Sequence, residues 1–389
     1  MYLIDGPYVS EYLKQALASL QVPVIQTPAA IRFLKDAPVR FISEADALSE
    51  LQRNPKRELY TNSENALDWL YENLPDHDLT ETIHRVKDKV LFRQMLEEIH
   101  NDYYYRGVSL SGLSEIAADT LPYPVILKPS VGFFSLGVQS VENADEWHKA
   151  LSNLNDIIRT SDGLYPKRVL NNSSFIIEEV INGDEFAVDC YYDEKGHVVI
   201  LNLMKHLFAS GADVNDRVYI TSGALMRQYL KPVAAYLDTL GKVFQLTNFQ
   251  AHIEIRIDTD QVIRAIEINP LRFGGWCSTP DLAQYAWDMN IYDSLVNKKR
   301  PNWSYNSQLY PDSVTALIVL NNSTGVSGKK IKKFNYDALL ADIQEPLELR
   351  KTDFRKFPLF GFLMCRVPAN NMDELYRLLH SDLNEYISA

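Results

Sequence analysis

The chain has 389 residues, 46% of them hydrophobic and 23% charged, with a formal net charge of -12. That length asks for two to four domains at about 150 residues each, and the composition is that of a folded globular protein, so disorder is not expected. An acidic surface repels nucleic-acid backbones and anionic membranes, and no run approaches the roughly 18 apolar residues of a membrane span, so no nucleic-acid and no membrane partner is expected.

The three cysteines, Cys190, Cys277 and Cys365, stand at no metal-binding spacing. A disulfide framework or structural zinc is not expected, and a reducing cytoplasm is the expected compartment. The start, MYLIDGPYVSEYLKQ, has no basic segment leading into an apolar run and does not read as a signal peptide.

Val9, Leu13, Ala16, Leu17 and Leu20 share one helical stripe over 8–20, and VPVIQT after it predicts a strand. A second helix is predicted over 62–74 on Ala66, Leu67, Leu70 and Tyr71, capped by Ser63. Gly6 is the only glycine before Gly107, which speaks against a dinucleotide loop here. An amphipathic helix is predicted over 87–100. The aromatic run Tyr103 to Tyr105 after it is a surface loop or a pocket wall. Then come a strand in PVILKPS, a helix over 142–154 and a polar loop over 162–174. FIIEEV and DEFAVDCYY read as strands, the latter turning through DEKG into HVVILNLM. Leu225 to Leu246 predicts a long helix, and AHIEIRID and VIRAIEIN predict a hairpin about 259–261. The last part alternates strands (VTALIVL, PLFGFLMCRV) with a helix over 372–387. Strands and helices intermix throughout, which predicts an α/β protein built of α+β lobes.

Three segments carry candidate chemistry. In PVILKPSVGFFSLGV a buried strand delivers Lys128, followed by Ser130, Gly132, Ser135 and Gly137. Glycines let backbone approach an anion, and amides, hydroxyls and a lysine suit phosphate oxygens. A plain hairpin with a snorkelling lysine is the alternative. In FIIEEVINGDEFAVD an apolar run ends in Glu178 and Glu179, then Val180 and Ile181, a turn, and Glu185. A carboxylate there suits ribose hydroxyls and the link's backbone suits an adenine edge; solvated edge glutamates are the alternative. In AHIEIRIDTDQVIRAIEINPLRFGG, Glu254 and Glu267 lie on adjacent strands with Asn269 two residues on, hence on one face. Two carboxylates and an amide oxygen form a hard site of the kind Mg²⁺ takes. Isoleucines flank both acids, and like charges on a surface hairpin approach unfavourably, which counts against a surface reading.

The order of these segments resembles the ATP-grasp superfamily, in particular its carboxylate–amine ligases, from about 87 to 293. The resemblance implies two α+β lobes holding ATP between them (86–180 and 181–300), a short N-terminal α/β lobe (1–85) and a C-terminal α+β extension (301–389). It implies that Lys89, Lys128 and Lys205 contact phosphates, and that the glycine-rich loop covers them. The hinge Glu178, Glu179, Val180 and Ile181 meets adenine, and Glu185 meets ribose. Glu254, Glu267 and Asn269 hold Mg²⁺, or Mn²⁺ in its place. Arg272 stabilises the transferred phosphoryl group, although it stands one residue later than the family's Asn-Pro-Arg. The implied reaction is ATP-dependent: a small carboxylate such as an amino acid becomes an acyl phosphate, then joins an amine (or a thiol), releasing ADP and phosphate. A phosphotransferase or a non-catalytic ATP-binding regulator are the alternatives.

Further residues are read from the sequence alone. Arg217 and Tyr219, in a polar loop-like stretch, are candidate substrate contacts. His252 shares a face with Glu254 and reads as a hydrogen-bonded core histidine, and Cys277 as a packed thiol. The apolar PLFGFLMCRV strand packs internally or forms a homodimer contact.

Overall fold

The computed structural model describes residues 1–131, 138–161, 174–209 and 217–388. The first lobe is a parallel sheet in the order Phe41–Ile42, Val24–Ile25, Tyr2–Leu3, Tyr60–Thr61. Its helices Glu11–Leu20, Pro28–Leu34 and Glu44–Arg53 start at Ser10, Thr27 and Ser43, whose side chains accept otherwise unpaired first-turn amides. Ser63 caps the next one as predicted, which opens as the 3₁₀ turn Glu64–Ala66 before continuing as Leu67–Asn73.

The helix predicted over 87–100 is the shorter Lys89–Leu96, and a separate helix, Asp78–Lys87, precedes it. Asp88 between them is extended, and its carboxylate accepts from the amides of Val90 and Leu91. A residue with extended backbone cannot carry the first helix onward while capping the second. The break makes Lys89 a first-turn residue, and its amide donates to Ser130 O at 2.8 Å.

The small lobe is an antiparallel sheet ordered Tyr105–Ser109, Ser174–Glu179, Val125–Pro129, Gln139–Val141, with helix Ala144–Ser161 beside it. Leu113, Val125, Leu127, Val141, Trp147, Phe175 and Ile177 form its core. The chain leaves this lobe through residues 180–183. Gly183 there has φ +110, and a Cβ on it would lie 2.2 Å from Ile257 O, so this turn needs glycine on two counts.

The large lobe is one eight-stranded antiparallel sheet. Its order is Ile263–Pro270, Phe249–Ile257, Asp184–Tyr192, Val198–Leu207, Val218–Thr221, Ser313–Asn321, Leu359–Pro368, Pro346–Lys351. The C-terminal segment is therefore not a separate extension. Ser313–Asn321 pairs with Val218–Thr221 and Leu359–Pro368 pairs with it, so the sheet runs through residue 300. PLFGFLMCRV packs internally: Phe360, Leu363 and Cys365 join Leu375 and Leu379 of helix Asp373–His380 in a second core. That helix stops at His380, short of the predicted 387, because the backbone turns extended at Ser381.

Alternation along these strands sorts their side chains. Phe186, Val188 and Cys190 enter the main core with Leu237 and Leu240 of helix Gly223–Val243. Glu185, Ala187 and Asp189 must then point to the opposite face. The register sets Arg256 beside Glu185, Glu254 beside Ala187, His252 beside Asp189 and Glu267 beside Glu254, so these side chains share that face.

Candidate active site

Glu254, Glu267 and Asn269 come together on one face of the large sheet. Glu254 and Glu267 are direct cross-strand partners, and Asn269 Nδ2 reaches Glu267 Oε1 at 2.8 Å and Glu254 Oε1 at 3.5 Å. One amide thus spans two carboxylates that would otherwise repel. Burial alone would raise the Glu267 carboxyl, but Lys87, Lys89, the Asn269 amide and Lys128 outweigh it and hold the group well below the usual carboxylate range. The donor set of two carboxylates and an amide oxygen fits a hard divalent cation that keeps other ligands of its own. Among the described residues, no cluster of three or more His, Cys, Asp or Glu competes as a metal centre.

The cations come from the other side of the cleft. Desolvation, with Lys128 and Lys87 near, pushes the Lys89 ammonium down to about 8 against the pull of Glu267 and Glu64. Lys128 is buried and ion-paired to Glu178. Glu178 also accepts from Arg93 Nε at 2.6 Å. Burial would raise the Glu178 carboxyl, but Arg93 and Lys128 together hold it at about 2. Glu178 is therefore the anchor of Lys128. Arg93 fastens it to the large lobe as well, donating to Ala265 O at 2.6 Å.

At the hinge, Glu179 pairs with Tyr104 through its amide, Val180 N donates to Pro124 O at 3.3 Å, and Ile181 O accepts from Arg256 at 2.6 Å. The Tyr103 hydroxyl donates to Glu179 O at 2.7 Å and its ring lies 4.8 Å from the Arg93 guanidinium. The aromatic run is thus packed between the lobes, where Asp102–Arg264 (2.7 Å) and His100–Tyr236 (3.0 Å) also meet. Ser130 joins the site through its backbone, linking Lys89 N and Ser174 O, while its buried hydroxyl has no hydrogen-bond partner among the described residues. Gly132, Ser135 and Gly137 lie outside the described residues.

Arg272 reaches the cluster by an unusual backbone. Leu271 takes φ 58, the left-handed region, and its buried side chain absorbs the extra residue. Arg272 then donates to Glu64 Oε2 at 3.1 Å and to Phe273 O at 2.9 Å. Glu64 also holds Lys87 at 2.5 Å. The first lobe thus contributes an acid to the cleft. Trp276 and Cys277 also have positive φ, at 58 and 56, and Arg350 donates to both of their carbonyls, at 2.9 and 3.0 Å. Cys277 is buried, as a packed thiol should be.

Two residues are corrected. Lys205 is the register partner of Phe186, on the core face and not on the face of Glu185, and pairs with Asp184 at 2.6 Å. Strand period two sends it away from the phosphate side, and its neighbour His206 faces the site instead. Arg217 donates to Leu379 O, Ser381 O and Ser323 Oγ, which ties it to the C-terminal helix and not to a substrate position. Tyr219 stacks on His206, with centroids 4.4 Å apart, and does lie on the site face.

Glu64, Lys87, Arg93, Asp189, His206 and Arg256 were not singled out from the sequence. Asp189 carried a signal: an acid inside the apolar run FAVDCYY. It is fully buried and accepts from His252 Nδ1 at 2.7 Å and Gly274 N at 3.1 Å. His252 is hydrogen-bonded as expected, with Nε2 3.8 Å from Glu254 Oε1.

A lysine-bearing sheet thus faces an acid-bearing sheet across a hinge. Residues 121–280 match the ATP-grasp domain family. Over its length the chain is similar in structure to an L-amino acid ligase from Bacillus licheniformis, at 17% identity and TM-score 0.68, covering 100% of this chain and 97% of that one. It is similar to an N5-carboxyaminoimidazole ribonucleotide synthetase from Thermotoga maritima at 14% and 0.63, covering 100% and 98%. A biotin carboxylase from Campylobacter jejuni follows at 12% and 0.62, covering 94% and 87%. No curated protein matches the chain in sequence. No helix among the described residues is long and apolar enough to cross a membrane.

Proposed function

We propose that the protein is an ATP-dependent ligase that activates a small carboxylate as an acyl phosphate and passes it to an amine. The observation that carries this is the grouping of Glu254, Glu267 and Asn269 on one face, within electrostatic reach of Lys89 and Lys128. Similarity to an amino acid ligase over the full chain favours an amino acid as the carboxylate.

In this reading the hinge backbone at Glu179 and Ile181 pairs with adenine, and Glu185 with ribose. Lys89 and Lys128 bind phosphate oxygens, Lys128 being held in place by Glu178. Glu254, Glu267 and Asn269 would hold Mg²⁺ or Mn²⁺, which when bound neutralises phosphate charge. Arg272, released from Glu64, meets the negative charge that grows on the acyl oxygens. Fixed cations in a closed cleft act without reorganising as that charge develops. The cleft also shields the acyl phosphate from water.

The test is ADP release from the purified protein with each amino acid, singly and in pairs, with and without hydroxylamine. Stimulated ADP release with hydroxamate formation supports the ligase. Stimulated release that never yields hydroxamate points to a phosphotransferase. Nucleotide binding without any stimulated release points to a regulatory ATP-binding protein.

A further inference from the structure

The Glu185 carboxylate is held on both of its oxygens by the protein itself. Oε1 lies 3.1 Å from His206 Nδ1, and Oε2 accepts from Arg256 Nε and Nη2 at 3.1 and 3.0 Å. Both partners are fixed in turn. His206 is buried and stacked on Tyr219, its ring planes 11° apart, and has Phe208 against its other contact at 3.9 Å. Arg256 gives its remaining nitrogen, Nη1, to Ile181 O at 2.6 Å, with Phe208 5.9 Å away. One guanidinium therefore joins the acid facing the cleft to the hinge backbone, two residues along the same strand face from Glu254.

An acceptor for a sugar hydroxyl needs a defined direction. A free glutamate loses rotamer freedom on binding, at a cost set against affinity. Clamping removes that cost in advance. Each carboxylate oxygen has two acceptor sites; the two Arg256 N–H groups fill those of Oε2 and His206 takes one on Oε1, which leaves one site on Oε1 for a hydroxyl. The guanidinium places two N–H groups on Oε2 at once and so fixes that oxygen, which a lysine point charge does less firmly. We propose that Arg256, with His206 behind it, is the positioning residue that orients Glu185 to accept a ribose hydroxyl of the nucleotide. The sugar, and not the base alone, is then a determinant of recognition. This rests on the nucleotide reading given above.

The experiment compares binding of ATP, 2′-deoxy-ATP and 3′-deoxy-ATP by calorimetry, with steady-state KM and kcat, in the wild type, Glu185→Gln, Arg256→Leu and Arg256→Lys. Wild type should prefer ATP over at least one of the deoxy forms by about tenfold or more, the worth of a hydrogen bond to a charged group. Glu185→Gln and Arg256→Leu should both bring that preference below about threefold, with the loss appearing mainly as a raised KM for ATP. Arg256→Lys should keep part of the preference. If Arg256→Leu does not fold, the lysine variant decides: a reduced preference supports the clamp and an unchanged one overturns it. Folded Arg256→Leu with full preference, or with kcat lost and KM unchanged, also overturns it. A wild type that binds ATP and the deoxy forms equally overturns the sugar reading alone. A wild type that binds none of them overturns the nucleotide reading on which it stands.

Discussion

The two halves of one sheet face differ in kind. From Ile263–Pro270 to Val198–Leu207 the cleft face carries Glu267, Asn269, Glu254, His252, Asp189, Glu185 and His206. From Ser313–Asn321 onward the same face carries Leu317, Phe362 and Met364, packed with Leu282, Trp276 and Phe357. The ladder is continuous, so backbone geometry does not separate them. What differs is the covering. The apolar half is closed from within the large lobe, partly by helix Ser278–Trp287. The charged half is balanced by Lys87, Lys89 and Lys128, which come from outside the large lobe. Apolar packing needs only a neighbour; a group of acids needs cations that arrive from elsewhere in the chain.

That contrast can be broken at several points. The largest effect is expected at the lobe junction. Glu178→Ala leaves Arg93 and Lys128 buried without their acid and should cost about 3–5 kcal/mol in urea unfolding. A loss under about 1 kcal/mol would show that the pair is not an anchor. On the apolar half, Met364→Ala empties a fully buried site and should cost about 2–5 kcal/mol, with ADP release per folded molecule retained. Glu267→Ala should do the reverse, lowering turnover at least ~10²-fold while the protein stays folded. Near wild-type turnover in that variant would remove Glu267 from the site.

A pH series sharpens the same point. Arg93 and Lys128 outweigh burial and hold Glu178 at about 2 instead of 4.5. Its folded value is depressed, so its contribution is complete above 4.5 and fades as pH falls from there towards 2. Glu178→Gln should flatten that acid limb of the stability curve; an unchanged limb would assign the loss to other carboxylates. The smallest effect belongs to Lys205→Ala. Its side chain lies on the core face and pairs with a half-exposed Asp184, so KM for ATP should move less than about twofold. A tenfold rise would return Lys205 to the phosphates.

The difference between Lys205 and Glu267 also explains what could be read in advance. Glu254 and Glu267 stand in strands whose alternation is clear, isoleucine on one side and acid on the other, so their common face follows from period two. HVVILNLMKHLF is apolar on both faces for most of its length, and the strand carries a register irregularity between Ile200 and Asn202. Nothing in it sets the phase, and Lys205 and His206 exchange roles. The one-residue offset of Arg272 has the same character. The local sequence shows the extra residue; only the backbone shows that Leu271 takes it up in a left-handed turn and lets Arg272 meet Glu64 from two hundred residues away.

The sequence by itself determined the acid hairpin, the Lys128 strand and the hinge with its Gly183 turn, because each depends on residues close together in the chain and on the periods of strand and helix. The tertiary structure decided which cation meets which acid: Arg93 and Lys128 on Glu178, Arg256 and His206 on Glu185, Glu64 on Arg272 and Lys87. It also decided that the last strands continue the large sheet. Ion pairing and strand addition act through space, with partners tens to hundreds of residues apart, and no local period records them.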